Sequence, residues 1–142
     1  MNSIGANLWI WDSPVTDGVI RRRAPLIAAM GLDLIELPLE NPGDWTPRIV
    51  KPIVDDLGLM SSVCAAMGPG RDLTTGDAGI VSATQDYLRR CIDAAAGVGS
   101  AIVAGPIYAP TGVTGSRTAS EREEAIAAVA ANLGPVLDYA RE

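Results

Sequence analysis

The chain has 142 residues, 48% of them hydrophobic, which is enough for one domain with a real core. Its net charge of −6 removes the attraction that nucleic-acid binding depends on, and the absence of histidine leaves carboxylates, cysteine, tyrosine and lysine as the acid–base groups. No apolar run approaches ~18 residues free of charges and turn formers, so no transmembrane helix is expected, and the opening Met1-Asn2-Ser3 lacks a leader pattern, which favours the cytoplasm.

Residues 4–11 alternate, with Ile4, Ala6, Leu8 and Ile10 on one parity and Asn7, Trp9 and Trp11 on the other. Period two predicts a strand whose aliphatic set packs under helices while Asn7, Trp9 and Trp11 face away. A polar turn over 12–17 leads into a first helix with Val19, Ile20, Ile27 and Met30 as its core face, and Pro25 predicts a kink or a late start. A second strand over 33–39 places Ile35, Leu37 and Leu39 opposite Leu34, Glu36 and Pro38. Thr46 followed by Pro47 marks the start of a second helix bearing Ile49, Val50, Ile53, Val54 and Leu57, with Pro52 as its weak point.

The third strand, over 59–67, puts Ser62, Cys64 and Ala66 on one parity, and a glycine-rich loop over 68–77 follows it. Ile80, Thr84, Tyr87, Leu88, Cys91, Ala95 and Val98 then trace one face of a long third helix. A fourth strand is predicted over 101–108 and a second glycine-rich loop over 109–118. The spacing of Ser120 and Glu123 fits a capping box opening a fourth helix, with Ile126, Val129, Leu133, Val136 and Leu137 as core and a kink expected at Gly134-Pro135. Gly31, Gly58 and the Gly97 to Gly99 pair each stand between a helix and a strand, where a left-handed glycine ends a helix.

Strand and helix alternating with short α-to-β joints argue an α/β fold with a parallel sheet and right-handed crossovers. A doubly wound open sheet and part of an eight-stranded barrel both meet this pattern. Four units are half of a (β/α)8 barrel, and the expected domain is residues 1–142 as the N-terminal half of a TIM barrel.

Glu36 interrupts an apolar strand on the face away from the helices, where an unpaired carboxylate is costly, and no predicted strand carries a lysine or arginine. Its partner is then a loop, a further segment, a ligand or a metal, and both a functional role and a structural ion pair remain open. Trp9 and Trp11 suit stacking on a sugar ring or simple packing. Cys64 reads as a small buried hydrophobe or a site residue, Cys91 as core, and both as reduced thiols. The loop at Gly68-Pro-Gly-Arg71 has neither a Walker nor a GxGxxG spacing and suits a flexible active-site loop, with Arg71 and Asp72 offered to an anionic or polyhydroxyl substrate. The arginine clusters at 21–23 and 89–90 read as solvated helix faces. No cluster with metal-ligand spacing occurs in the sequence.

Four stretches carry a resemblance to a known family: Ile4-Gly-Ala-Asn-Leu-Trp-Ile-Trp11, Met30-Gly-Leu-Asp-Leu-Ile-Glu-Leu-Pro38, Asp56-Leu-Gly-Leu59 with Ser62-Val-Cys-Ala65, and Val103-Ala-Gly-Pro-Ile-Tyr108. The chain resembles the sugar phosphate isomerase/epimerase family of xylose-isomerase-like barrels, and within it the ketose 3-epimerases acting on tagatose and psicose (allulose). The resemblance implies proton abstraction beside a ketose carbonyl by one glutamate and its return to the opposite face by another, with a divalent ion, manganese or cobalt, polarising the oxygens. It also implies that the catalytic glutamates and metal ligands lie at the ends of strands five to eight, so none is expected in this chain, which by itself is expected to be inactive and metal-free. Asn7, Trp9, Glu36, Cys64, Pro106 and Tyr108 are then the first half's contribution to sugar binding. Hydroxypyruvate isomerases, inosose dehydratases and abasic-site endonucleases share this barrel, and acidity argues against the last. A flavodoxin-like binding module is the non-enzymatic alternative. The open edges of strands one and four predict self-association of the chain, and the complete protein is expected to be a homo-oligomer acting on a small sugar, with no nucleic-acid or membrane partner.

Overall fold

A computed structural model describes residues 3–142. The chain divides into two compact units, one holding the described residues up to Ala65 together with Cys91–Gly105, the other holding Ala66–Arg90 and Pro106–Glu142.

The first unit is built on a four-stranded parallel sheet, β1 (Gly5–Asn7), β2 (Leu34–Leu39), β3 (Met60–Ala65) and β4 (Val103–Ala104), in the order β1-β2-β3-β4. Helices α1 (Asp17–Ala29) and α2 (Pro47–Asp56) cross between the strands, and the C-terminal part of α3 (Ala78–Val98) leads into β4. The aliphatic parity of β2, Ile35, Leu37 and Leu39, is buried as expected, with Val63 and Ala65 of β3 beside it and Val19, Ile20, Ile27, Val50 and Val54 from the helices. Each valine, leucine and isoleucine of this set contributes roughly 1.5–3 kcal/mol on burial, so this layer holds the unit together. At the joints Gly31, Gly58 and Gly99 take φ of 76°, 64° and 78°, the left-handed form that the sequence called for. Gly97 does not end a helix. It lies inside α3, where an added Cβ would stand 2.7 Å from that of Pro47.

Three expectations for this unit need correction. The first strand stops at Asn7, because the Asn7 side-chain oxygen accepts the Trp9 backbone N–H at 2.8 Å and caps a 3-10 turn over Leu8–Ile10. Ile10 is consequently exposed instead of packing under a helix. The fourth strand is cut to Val103–Ala104, since Gly105 (φ 120°) turns the chain so close to Ala65 that a Cβ would fall 2.2 Å from its carbonyl oxygen. Pro25 gives no late start: α1 begins at Asp17 behind a Thr16 cap and runs through the proline, and Met30 is exposed just past its end. Thr46 is the N-cap residue of α2 as expected, but its side chain makes no cap bond. Its backbone N–H goes instead to the Asp17 carboxylate at 2.7 Å, tying α2 to the first turn of α1.

The second unit contains the loop after β3, the first part of α3, the loop after β4, and α4 (Ala119–Tyr139). Met67, Leu73, Tyr87, Leu88 and Val136 are its buried apolar side chains. The two loops are tied by backbone bonds from Leu73 N–H to the Tyr108 carbonyl (3.0 Å) and from Thr111 N–H to the Met67 carbonyl (2.8 Å). Asn132 on α4 donates to the Leu73 carbonyl at 2.9 Å, and Gln85 on α3 donates to the Asn132 carbonyl at 2.7 Å. The capping box of α4 forms between Thr118 and Glu121, two residues earlier than the Ser120 and Glu123 spacing suggested, and the Ser120 hydroxyl goes to Glu124 instead. Of the expected core face of α4 only Val136 is fully buried, while Ile126 and Leu137 are exposed. No helix among the described residues is long and apolar enough to cross a membrane.

Candidate functional site

Register brings Asn7, Glu36 and Ser62 into one row across β1, β2 and β3, and period two turns all three to the face away from the helices. The Asn7 side-chain amide donates to Glu36 Oε2, and the Ser62 hydroxyl donates to Glu36 Oε1 at 3.4 Å. Asn7 is held for this by its own oxygen, which the Trp9 backbone N–H occupies. Glu36 is half-buried and, among the described residues, enters no ion pair; its partners are neutral donors.

Two residues further along each strand, Pro38, Cys64 and Ala104 form the next row on the same face. Cys64 is buried, and that burial first, then the neighbouring Glu36 charge, pushes its thiol above the ordinary range, against a lowering by the Asn7 hydrogen bond. It is therefore a neutral thiol at physiological pH and a poor nucleophile.

Trp9 belongs to the same end of the sheet, but its indole N–H is committed to the Glu40 carboxylate at 2.7 Å, which also accepts from the Ser13 hydroxyl at 2.6 Å. Glu40 and Ser62 were not singled out in the sequence. Glu40 has the same parity as Glu36 and follows the strand directly, which was the available signal. Trp11 lies beside the Arg23 guanidinium at 5.9 Å, and Arg23 pairs with Asp12 at 2.7 Å, so that arginine is half-buried and engaged, not a solvated face.

Pro106 and Tyr108 fall in the second unit, where they line a mostly apolar cavity of about 670 Å³ with Val113, Ile126, Arg117 and Arg122. Arg71 and Asp72, offered to a substrate on sequence grounds, serve the loop. The Arg71 guanidinium stacks on the Tyr87 ring at 3.6 Å and donates to the Ala66 carbonyl, and Asp72 Oδ1 accepts from both the backbone N–H and hydroxyl of Thr74. Cys91 is fully buried on α3, as its place on the core face predicted.

Among the described residues no group of three or more cysteines or carboxylates is placed to hold a metal ion. The residues present therefore do not fit the divalent ion implied by the resemblance, and no step here runs through one. What the first unit offers is a row of short polar side chains around one carboxylate, able to accept hydrogen bonds from the hydroxyls of a small polar molecule.

An α/β chain of four parallel strands in sequential order, each joined to the next by a helical crossover, has the architecture of half a TIM barrel. The similar proteins are sugar epimerases of this class. The chain is 27% identical over 105 residues to a ketose 3-epimerase of Arthrobacter globiformis, covering 74% of this chain and 36% of that protein. It is 23% identical over 126 residues to an L-ribulose 3-epimerase of Methylomonas sp. strain DH-1, covering 88% of this chain and 44% of the other. In three dimensions it matches a D-allulose 3-epimerase from Methylomonas sp. solved in complex with D-allulose, with a TM-score of 0.82 over 97% of this chain and 47% of that one, at 23% identity. The resemblance read from the four sequence stretches is therefore borne out. The chain spans less than half the length of these relatives, and no family model matches it.

Proposed function

We propose that this chain is the substrate-binding half of a sugar epimerase of the ketose 3-epimerase type, whose reaction is removal and return of a proton beside a ketose carbonyl. Asn7, Trp9, Glu36 and Cys64 of the first unit are assigned to the sugar, while Pro106 and Tyr108 are sugar contacts by resemblance alone and line a cavity within the second unit. Glu36 accepts hydrogen bonds from sugar hydroxyls, Asn7 and Ser62 fix its orientation, and the half-buried Trp9 ring offers an apolar face. Cys64 is a neutral wall. The observation that carries the reading is the similarity to ketose 3-epimerases in sequence, combined with the Asn7, Glu36 and Ser62 row at the sheet face. In this division of labour the proton-transferring carboxylates and any metal belong to residues outside this chain.

The test is saturation-transfer NMR on the 142-residue chain with D-allulose, D-tagatose, L-ribulose and hydroxypyruvate, alongside deuterium uptake at the sugar C3 in D2O. Saturation of the ketoses but not of hydroxypyruvate, with no deuterium uptake, is the expected result. Preference for hydroxypyruvate would shift the assignment to another reaction of this barrel class. Uptake at C3 by the chain alone would overturn the division of labour.

A further inference from the structure

Asn7 and Glu36 form one end of a longer hydrogen-bond chain in the first unit. The Asn7 amide donates to Glu36, its oxygen accepts the Trp9 backbone N–H at 2.8 Å, and the Trp9 indole N–H in turn donates to Glu40 at 2.7 Å. Glu36 lies within β2 and Glu40 directly after it, so both ends of the chain are anchored on the same strand. The Asn7 bond fixes the backbone at Trp9 but leaves the two torsions of the indole free. An indole has one polar atom, a donor, so the group that holds this donor sets the plane of the ring. Glu40 holds it from a strand end placed by the pairing of Leu39 with Ala65, and the same carboxylate oxygen accepts the Ser13 hydroxyl at 2.6 Å. Trp9 and Glu40 are both half-buried, and each exchanges a bond to water for a bond to the other, which contributes little to stability. What the pair fixes is the orientation of the ring.

Resting on the assignment of Trp9 to the sugar, we propose that Glu40 is a positioning residue for sugar binding, acting through Trp9 by holding the indole in the orientation that meets the sugar. A sugar presents its C–H groups to an aromatic plane, and that packing is lost when the plane tilts away. An indole held before the sugar arrives gives up no rotamer freedom on binding, and the ordering cost avoided appears as affinity. The bond to Glu40 is made at the ring edge and takes neither face. A carboxylate suits the task because a charge-assisted hydrogen bond is stronger and better defined than one to a neutral acceptor. Glu40 needs no contact with the sugar itself, and it takes no part in moving the proton.

Titrations of the 142-residue chain with D-allulose and L-ribulose test this, followed by saturation transfer and by the indole N–H resonance of Trp9, which is identified by its loss in Trp9→Phe. Glu40→Ala should move that resonance to the position of a water-bonded indole and weaken ketose binding about tenfold, the scale of one hydrogen bond to a charged group. Glu40→Gln keeps an acceptor oxygen and should recover most of both. Trp9→Phe keeps an aromatic face but removes the tie, so it should also weaken binding, and adding Glu40→Ala to it should weaken binding no further. Ketose binding by Glu40→Ala or by Trp9→Phe equal to the parent's would overturn the positioning role. So would a glutamine variant no better than alanine, or losses that add in the double variant, since Glu40 would then act without Trp9. Trp9→Phe and Glu40→Gln preserve side-chain bulk and decide the outcome even where Glu40→Ala does not fold. A parent chain that binds neither ketose removes the sugar reading and the positioning role with it, whereas failure in the variants alone leaves the sugar reading standing.

Discussion

Asn7 and Glu36 sit opposite each other in the β1–β2 register, and the Asn7 amide N–H closes on the Glu36 carboxylate while the amide oxygen holds the turn that ends β1. One short side chain therefore both terminates a strand and aims the carboxylate at the sheet face. Asn7→Ala should release both functions. A hydrogen bond to a charged group is worth ~1.5–3 kcal/mol, so we expect a loss of that order in chemical denaturation and about tenfold weaker ketose binding. Asn7→Asp should be worse than alanine in both assays, because it sets two carboxylates against each other.

Glu36→Gln keeps the shape of the row and removes its charge. Part of what raises the Cys64 thiol is that charge, so the thiol should titrate at lower pH in this variant while staying above the ordinary range, because burial is the larger cause and persists. The pH dependence of thiol modification, assigned with Cys64→Ser, reads this. The same shift has a stability consequence. A thiol raised in the folded state contributes fully below the ordinary thiol value and loses that contribution as pH rises through the raised one. Cys64→Ala should flatten the alkaline end of the stability profile, and an unchanged profile would mean that Cys64 is not buried in solution.

The sequence showed the order of elements because each joint carries a left-handed glycine and each strand a period-two pattern, both local properties. It missed the ends of β1 and β4 because these depend on contacts distant in sequence or on a side chain competing with the backbone ladder. Asn7 prefers the Trp9 N–H to continued pairing, and Gly105 turns only because Ala65 stands beside it. Glu36 was legible as a misplaced charge, but its neutral partners were not, since Asn7 and Ser62 are 29 and 26 residues away and meet it only through register. Arg71 and Asp72 looked exposed in a glycine-rich loop, and nothing local announced that Tyr87 and Thr74 would engage them.

Gly105→Ala tests the turn after β4. The residue has φ of 120°, and a methyl group would meet the Ala65 carbonyl oxygen at 2.2 Å, backbone against backbone with no rotamer to relieve it. The cost should exceed the ~1 kcal/mol usual for alanine at positive φ. Gly112→Ala, at φ 84° with nothing within 4 Å of the added carbon, should cost less. Equal destabilisation of the two variants would show that the close approach is relaxed in solution.

Arg71→Lys separates a structural arginine from a ligand-binding one. Lysine keeps the charge but loses the planar group that lies on Tyr87 while reaching the Ala66 carbonyl. If the arginine serves the loop, Arg71→Lys and Arg71→Ala should both lower stability by ~1–2 kcal/mol, from the stacking and the hydrogen bond together, and leave ketose affinity unchanged. A lysine variant that restores ketose binding lost in the alanine variant would return Arg71 to the substrate.

The capping box at the start of α4 gives the last prediction and its sign. The Thr118 backbone N–H, and after it the Thr118 hydroxyl, hold the Glu121 carboxyl below the ordinary carboxylate range. A carboxylate depressed in the folded state contributes above its unfolded value and loses that contribution as pH falls through the depressed one, so α4 should fray from its first turn on acidification. Hydrogen exchange at the Glu121 and Arg122 amides should accelerate in acid relative to amides in the middle of α4, after correction for intrinsic rates. Thr118→Ala removes the hydroxyl acceptor for the Glu121 N–H and should produce that fraying at neutral pH, while Ser120→Ala should not, because Ser120 lies inside the helix and bonds only the Glu124 side chain. If Ser120→Ala frays the helix and Thr118→Ala does not, the cap stands where the sequence spacing first put it.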